Sequence, residues 1–351
     1  MNFLSTLFLL IGSYCPETDP GVKVYDFDTA AGTATPFCEV SGIENPSFLC
    51  ISDDGSHVYA VSEREGSTSM LHHLVFQPSK ASLQLLGARL TKGGAPCYVA
   101  LAPDGRSVYT ANYLGGSVTM FRRDANGTLS IGQSTPFIGH GVDAERQSGP
   151  HLHAINFTPD GKWMLANDLG TDRIHLFPKA DDGTYPSCTQ DFALQGGMGP
   201  RHLCFDAMGQ YAYLLGEMSG EIAVLKYQPE AEHPLSVVQT VKADIHDGKG
   251  SADIHLSPDG HFLYASHRLK GDGISIFAVD AAGCLTPVGY QPTGSHPRNF
   301  TLSPDGRYLL VACRDADEVE IYERNPATGG LTDTGRRIST PKPVCLVFCE
   351  R

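Results

Sequence analysis

Three features of the sequence predict an all-β fold, a seven-bladed β-propeller with four-stranded blades. A hairpin-like pattern recurs about every 50 residues, 38 glycines and 23 prolines supply many turns, and no stretch shows the apolar period of a helix. A unit of this length has room for four short strands and their turns. We therefore expect residues 1–351 to form one propeller domain.

The recurring hairpin is clearest in GPRHLCFDAMGQYAYLLGE, residues 199–217. It predicts a strand from Arg201 to Phe205, a turn from Asp206 to Gly209 and a second strand from Tyr211 to Leu215. The turn glycines of this hairpin and its relatives are spaced by 50, 56, 48, 51 and 46 residues: Gly55, Gly105, Gly161, Gly209, Gly260 and Gly306. These hairpins predict six complete blades.

The two ends of the chain are predicted to share the seventh blade. Residues 342–348, KPVCLVF, resemble the first strand of a blade, and residues 8–14, FLLIGSY, resemble a second strand. Pairing the two would close the ring without an open sheet edge. The apolar N-terminal run is then a buried strand; the alternative, a signal peptide, is disfavoured because no Lys or Arg precedes the run.

Composition narrows the possible partners and compartment. A formal charge of -13 disfavours binding to nucleic acid or to an anionic membrane. Ten scattered cysteines without a CxxC motif indicate reduced core residues of a cytoplasmic protein. We expect a monomer or weak homodimer whose partner is a small molecule.

The starts of the first strands and the ends of the second strands of a propeller converge on one mouth of the central channel. Those positions carry an unusual number of charged and imidazole side chains in this chain. The candidates are His151, His153, Arg201, His202, Glu217, Asp253, His255, Arg268 and Arg298. Three arginines from three blades, in a chain this acidic, indicate a site for a carboxylate or phosphate.

Each candidate also has a structural alternative. Glu217 can simply neutralise Arg201, the arginines can pair with carboxylates between blades, and His202 and His255 can be hydrogen-bonded core histidines. His151 and His153, two residues apart, could bind a metal, but no companion ligand set is evident and no metal is expected.

At these residues the chain resembles the β-propeller lactonase family. That family includes the bacterial propeller-type 6-phosphogluconolactonase and the fungal 3-carboxy-cis,cis-muconate lactonizing enzyme. The shared motifs cover essentially the whole chain: IGSY, GPHLHAINFTPDG, GPRHLCFDAMGQYAYLLGE, SADIHLSPDG with ASHR, and HPRNFTLSPDGRYLLVA. The resemblance implies seven blades, lactone chemistry and no required metal or cofactor.

The resemblance also implies catalytic roles for His153, Arg201, Glu217 and Arg268. The remaining candidates are then substrate-binding residues: His151, His202, Asp253, His255 and Arg298. The chain departs from the family pattern at Gly216, where Asn is common, at Asp253, where Glu is common, and at the added His267. The last two departures affect which substrate is accepted.

These roles define a mechanism. His153 would act as general base because an ordinary imidazole titrates at about 6.5. Glu217, with a pKa lowered by arginines, would orient Arg201 or the water. Arg201 would stabilise the oxyanion, and Arg268 with Arg298 would hold the substrate's anion.

The expected activity is hydrolysis of an anionic lactone, with 6-phosphogluconolactone as substrate. Two alternatives stay open. One is a lactonizing cycloisomerase that uses the same residues, and the other is a non-catalytic propeller that binds a peptide or protein.

Overall fold

The structure, a computed structural model, describes residues 6–350, whose strands form seven four-stranded antiparallel sheets. The first strand of each sheet contacts the first strands of the sheets before and after it, so the seven sheets form a ring around a central channel. This arrangement is the predicted seven-bladed β-propeller.

Blades 1 to 6 follow one another along the chain, each running from its inner to its outer strand. Blades 1 to 3 consist of β4 (Leu49–Ile51), β5 (His57–Ser62), β6 (Met70–Gln77), β7 (Ser82–Leu90), β8 (Pro96–Leu101), β9 (Ser107–Asn112), β10 (Ser117–Arg123), β11 (Leu129–Pro136), β12 (Leu152–Phe157), β13 (Trp163–Asp168), β14 (Arg173–Pro178) and β15 (Gln190–Ala193). Blades 4 to 6 consist of β16 (Pro200–Phe205), β17 (Tyr211–Gly216), β18 (Glu221–Tyr227), β19 (Leu235–Lys242), β20 (Ser251–Leu256), β21 (Phe262–His267), β22 (Gly273–Val279), β23 (Leu285–Pro292), β24 (Pro297–Leu302), β25 (Tyr308–Cys313), β26 (Glu318–Arg324) and β27 (Leu331–Ser339). Two short 3-10 turns lie at Pro78–Lys80 and Arg314–Ala316.

Blade 7 joins the two ends of the chain, as predicted. Its strands are β28 (Pro343–Glu350), β1 (Thr6–Ser13), β2 (Val22–Asp28) and β3 (Thr33–Val40). β1 pairs antiparallel with β28, with Leu9 opposite Phe348, and with β2 on its other side. The strand expected at residues 8–14 is therefore present, and residues 1–5 of the apolar run lie outside the described part.

The continuous apolar sequence of β1 follows from its position between two blades. Phe8 and Leu10 pack into the cluster shared with blade 1, whereas Leu9 and Ile11 pack into the cluster shared with blade 6. All four side chains are fully buried, and burial of each stabilises the fold by about 1.5–3 kcal/mol. A strand covered on both faces needs apolar residues throughout rather than at alternate positions.

The core of the molecule lies between blades. Buried apolar side chains in residues 6–350 form seven clusters, each joining two neighbouring blades. The inner hairpins are fixed at their turn ends by the six predicted glycines, whose φ angles of 65 to 73° are costly for other residues. Within residues 6–350 no helix is long and apolar enough to cross a lipid bilayer.

Candidate active site

In blades 2 to 7, the pairing between the inner strand and the second strand of the same blade shifts register near one mouth of the channel. Each shift spans one or two residues. The residues skipped by the ladder are Cys97, His153, Arg201 with His202, Ala252 with Asp253, Arg298, and Val344. A β-bulge re-aims side chains, and bulges explain how polar groups from four blades can meet.

Glu217 lies at the centre of the site and forms ion pairs with three arginines. Its Oε2 is 2.9 Å from Arg201 Nε and 3.3 Å from Arg268 Nη2, and its Oε1 is 2.7 Å from Arg146 Nη2. Burial alone would raise the pKa of Glu217, but Arg268, Arg201 and Arg146 outweigh burial and lower it to about 2. The carboxylate is therefore ionised at neutral pH and is a weak base, as expected.

Two of these arginines are held tightly by the backbone as well. Arg201 Nη1 donates to the Ala252 carbonyl, and Arg268 Nε donates to the Gly250 carbonyl at 2.7 Å. Burial lowers the pKa of Arg201, and it lowers that of Arg268 to about 9 in spite of Glu217. Burial therefore leaves these two guanidiniums less well solvated than ordinary surface arginines, which strengthens their attraction for a further anion.

Arg146 was missed by the sequence analysis. It lies in the connection between β11 and β12, where Asp143 Oδ1 accepts its backbone N–H at 2.9 Å and Gln147 Oε1 accepts from the N–H groups of Val142 and Asp143. This connection runs from an outer strand to the next inner strand, which brings it to the mouth. A search for basic residues in those connections, rather than in the strands alone, would have found it.

His153 lies beside Glu217 in a nearly closed environment. Its Nε2 is 4.0 Å from Glu217 Oε2, and its ring meets the rings of Tyr113 and His202 edge to face. Its Nδ1 is buried and has no hydrogen-bond partner within residues 6–350. Burial, together with Arg201 and His202, lowers the pKa of His153 well below 6.5. The ordinary pKa assumed from the sequence is therefore wrong, because that assumption neglected desolvation.

Asp253 organises a second polar group next to the first. Its carboxylate accepts from His202 Nδ1 at 2.7 Å, His255 Nε2 at 3.0 Å, Asn299 Nδ2 at 2.5 Å and the Phe300 N–H at 3.2 Å. Burial and Arg201 lower the pKa of His202 to about 4 in spite of Asp253. Burial also opposes charge on His255, but Asp253 outweighs it and raises the pKa. The His255 side chain is 39% exposed and can be reached by a ligand.

Arg298 reaches the site from blade 6 and is held by the N-terminal segment. Its Nη2 is 3.8 Å from Glu63 Oε2, which also accepts from the Tyr14 hydroxyl at 2.9 Å, and its guanidinium lies over the Tyr14 ring. Burial would lower the pKa of Arg298, but Tyr14 and Glu63 outweigh it and raise the pKa. The tyrosine of the IGSY motif therefore positions this arginine.

His151 lies at the edge of the site and is partly exposed. Its ring stacks on Tyr113 at a centroid distance of 4.4 Å, and its Nδ1 is 3.0 Å from the Tyr113 carbonyl. In residues 6–350 no set of three His, Cys, Asp or Glu ligand atoms at this mouth is close enough together to hold a metal. The structure thus brings all nine predicted residues to one end of the channel and adds Arg146, Tyr14, Glu63 and Tyr113.

The site carries an excess of positive charge. Four guanidiniums, from Arg146, Arg201, Arg268 and Arg298, face the carboxylates of Glu217 and Glu63. Asp253 lies beside them and raises the pKa of His255, and three carboxylates still leave the four guanidiniums in excess. The whole chain has a formal charge of -13, so this cluster is a positively charged site in a negatively charged protein. Such a site suits an anionic ligand.

Comparison with known proteins gives one consistent family. Residues 8–348 match the family model described as lactonase, 7-bladed beta-propeller. A Formosa agariphila protein named 6-phosphogluconolactonase is 32% identical over 339 residues, covering 92% of this chain and 94% of its own length.

Two crystal structures are similar over almost the full chain. A candidate 6-phosphogluconolactonase from Bacteroides fragilis is 43% identical with a TM-score of 0.94, covering 100% of this chain and 99% of that one. The periplasmic gluconolactonase of Pseudomonas aeruginosa is 31% identical with a TM-score of 0.90, covering 98% and 99%. The chain belongs to the lactonase family of seven-bladed β-propellers.

Proposed function

We propose that this protein is a lactonase that hydrolyses 6-phosphogluconolactone to 6-phosphogluconate. The observation that carries the proposal is the cluster of four arginines against two glutamates at the mouth of an otherwise acidic protein. A phosphorylated lactone carries the negative charge that such a cluster attracts. The names of the Formosa and Bacteroides proteins support the same substrate.

In the proposed mechanism neutral His153 takes a proton from a water molecule as that water attacks the lactone carbonyl. His153 suits this step because its lowered pKa keeps the ring unprotonated, and its buried Nδ1 has no hydrogen-bond partner among the described residues. The tetrahedral intermediate then collapses, the ring C–O bond breaks, and the leaving oxygen takes the proton that His153 had accepted, while the new carboxylic acid releases its own proton to solvent. The product is an open-chain carboxylate.

The charged residues divide the remaining tasks. Arg201, fixed by Glu217 and Ala252, would stabilise the developing oxyanion, and Glu217 would hold Arg201 and Arg268 in place. Arg298 and Arg268 would hold the remote phosphate. His151 and His255, which are partly exposed, would contact the sugar hydroxyls.

Two predicted substrate-binding residues have a different role in this proposal. Both carboxylate oxygens of Asp253 already accept hydrogen bonds from donors of the protein itself. We assign Asp253 and His202 to positioning His255 and the floor of the site, without direct contact with the substrate.

The test is a spectroscopic turnover assay with freshly made 6-phosphogluconolactone, run beside the neutral gluconolactone and muconate-type acids. The proposal predicts a much higher kcat/KM for the phosphorylated lactone and no lactonization of muconates. Lactonization would support a cycloisomerase instead. Turnover of no lactone, together with capture of a peptide or protein, would support a binding propeller.

We also propose a cytoplasmic monomer or weak homodimer that requires no metal or cofactor for catalysis. The ten cysteines are free thiols, four of them buried, which suits a reducing compartment. Cell fractionation tests the location, and recovery of this protein outside the cytoplasm would overturn the proposed cytoplasmic location. The test is needed because the similar Pseudomonas protein is named as periplasmic. Sedimentation tests the assembly, and turnover after exhaustive chelation tests metal independence.

A further inference from the structure

A second cluster of reactive side chains lies on the outer part of blade 3, apart from the residues of the candidate active site. His175 on β14 is the cross-strand partner of Asp191 on the edge strand β15, and Cys188 lies just before that strand. The three residues line an open cavity of about 670 Å³ whose opposite wall is the segment from Phe137 to His140. Nothing in the proposed reaction uses them.

The donor atoms are spaced for one metal ion. His175 Nδ1, Cys188 Sγ and an Asp191 oxygen all lie within 4.8 Å of one another. Cys188 Sγ is 3.6 Å from Asp191 Oδ1, and His175 Nδ1 is 2.7 Å from the same oxygen. Ligand atoms in a tetrahedral zinc site lie roughly 3.3–3.7 Å apart, so the half-exposed Asp191 has to move away from His175 by about 0.6 Å.

The orientation of the His175 ring is fixed from its other side. Its Nε2 is 3.1 Å from Asp168 Oδ2, and Asp168 is fully buried and held further by Thr171 Oγ1. Phe137 stacks on the imidazole at a centroid distance of 3.8 Å. A buried carboxylate on one ring nitrogen is the arrangement that orients histidine ligands in metal sites, and it points Nδ1 toward Cys188 and Asp191.

We propose that His175, Cys188 and Asp191 form a zinc-binding site, with His175 Nδ1, Cys188 Sγ and an Asp191 oxygen as ligands and water from the cavity in the fourth position. The mixture of imidazole, thiolate and carboxylate suits Zn²⁺ better than Mg²⁺ or Ca²⁺, which prefer oxygen alone. Asp168 also accepts the His151 N–H at 2.7 Å, but the three ligands take no part in the proposed lactonase reaction. Zinc binding can therefore be absent while the lactonase proposal holds, and the reverse.

Other charged and titratable groups face the cluster besides its three proposed ligands. Burial would lower the pKa of His175, but Asp168, Cys188 and Asp191 raise it to about 9. Arg173, whose Nη1 is 3.8 Å from Asp191 Oδ2, also faces the cluster, and His140 lines the cavity. Imidazole and thiol ligands bind Zn²⁺ in their deprotonated forms, so the affinities of all variants are compared at one fixed pH.

The experiment is calorimetric titration of the tag-free, metal-stripped protein with Zn²⁺. We expect one ion per chain, and we expect Cys188→Ser and Asp191→Asn each to weaken binding more than tenfold. Cys284→Ser is the matched control, because Cys284 is a partly exposed cysteine in a turn of another blade, and it should leave the affinity unchanged.

Co²⁺ provides a spectroscopic check that is independent of enzyme activity. Wild type and Cys284→Ser should show a thiolate-to-cobalt charge-transfer band, and Cys188→Ser should lack it. Circular dichroism checks that the variants are folded, which matters most for Cys188 because it is partly exposed but also packs against the cluster between blades 2 and 3. Absence of stoichiometric Zn²⁺ binding, or equal binding by wild type and both ligand variants, would overturn the proposal.

Discussion

The two ends of each inner hairpin are made from the same two strands, but the turn end is alike in the blades whereas the mouth end differs from blade to blade. At the turn end, the six glycines share a narrow range of φ, and the aspartates of these turns accept backbone N–H groups, as Asp206 does from Gln210 and Tyr211. At the mouth, the strand register breaks and each blade presents different side chains. The repeat specifies the propeller, and departures from the repeat build the candidate active site.

The largest effect is expected when Glu217 at the mouth is replaced by Gln. Three guanidiniums would lose the carboxylate that they share, and breaking a buried ion pair costs about 3–5 kcal/mol. We expect kcat/KM to fall by about 10²–10⁴-fold and the free energy of unfolding to fall as well. Asp206→Asn, at the turn end of the same hairpin, is the control and should change neither by much.

His153→Ala should reduce kcat by about 10²–10⁴-fold, the usual contribution of a general base. The exposed His261, in the turn of blade 5, provides the comparison, and His261→Ala should keep full activity. Steady-state kinetics on both variants compare the effect on kcat of losing a histidine at the mouth with that of losing a histidine at a turn end. An unchanged kcat in His153→Ala would remove His153 from the role of base.

Arg298→Gln should raise KM for 6-phosphogluconolactone by about 10–100-fold, because a hydrogen bond to a charged group contributes about 1.5–3 kcal/mol. KM for the neutral gluconolactone should change far less. The surface-exposed Arg307 at a turn end pairs with Glu323, and Arg307→Gln should affect neither substrate. Equal effects of Arg298→Gln on both lactones would contradict an anion-binding role.

The pH profile offers a test without mutation. Protonation removes a general base, so activity should fall only when the pH drops below the pKa of His153 in the folded protein. Burial and Arg201 lower that pKa well below 6.5, so kcat/KM for the neutral gluconolactone, which has no phosphate to titrate, should stay level as the pH falls through 6.5. A half-loss of activity near pH 6.5, in protein shown to be folded, would mean that the base is an ordinary imidazole.

The smallest effects are expected for alanine at the turn glycines. An added Cβ at Gly260 would meet no atom within 4 Å. Gly260→Ala should therefore lower the free energy of unfolding only by the strain of its φ of 73°, about 1–2 kcal/mol. Gly209→Ala should cost more, because its Cβ would lie 3.0 Å from that of Pro159. Denaturant unfolding measures both, and the activity of the folded fraction should be unchanged.

The sequence was sufficient to predict most of the fold. Turn glycines and apolar runs report local backbone and burial preferences, so the hairpin of residues 199–217 was placed to within one residue at each strand end. Closure by β1 and β28 followed from counting seven periods and finding the first strand of a blade at the C-terminal end and its other strands at the N-terminal end.

The predicted residues of the candidate site could be named from the sequence, but its geometry could not. Arg146 lies in a connection without periodic pattern, and the bulges that skip His153 and Arg298 are features of strand register, which composition does not encode. The lowered pKa of His153 depends on burial by distant segments. Three-dimensional packing decides each of these properties.

The most direct test of the mouth as an active site is a crystal structure of the protein with 6-phosphogluconate, the proposed product. We predict that the phosphate lies within hydrogen-bonding distance of Arg298 or Arg268 and that the carboxylate lies next to His153 and Arg201. Product bound at another part of the propeller, with these residues untouched, would contradict the proposed active site.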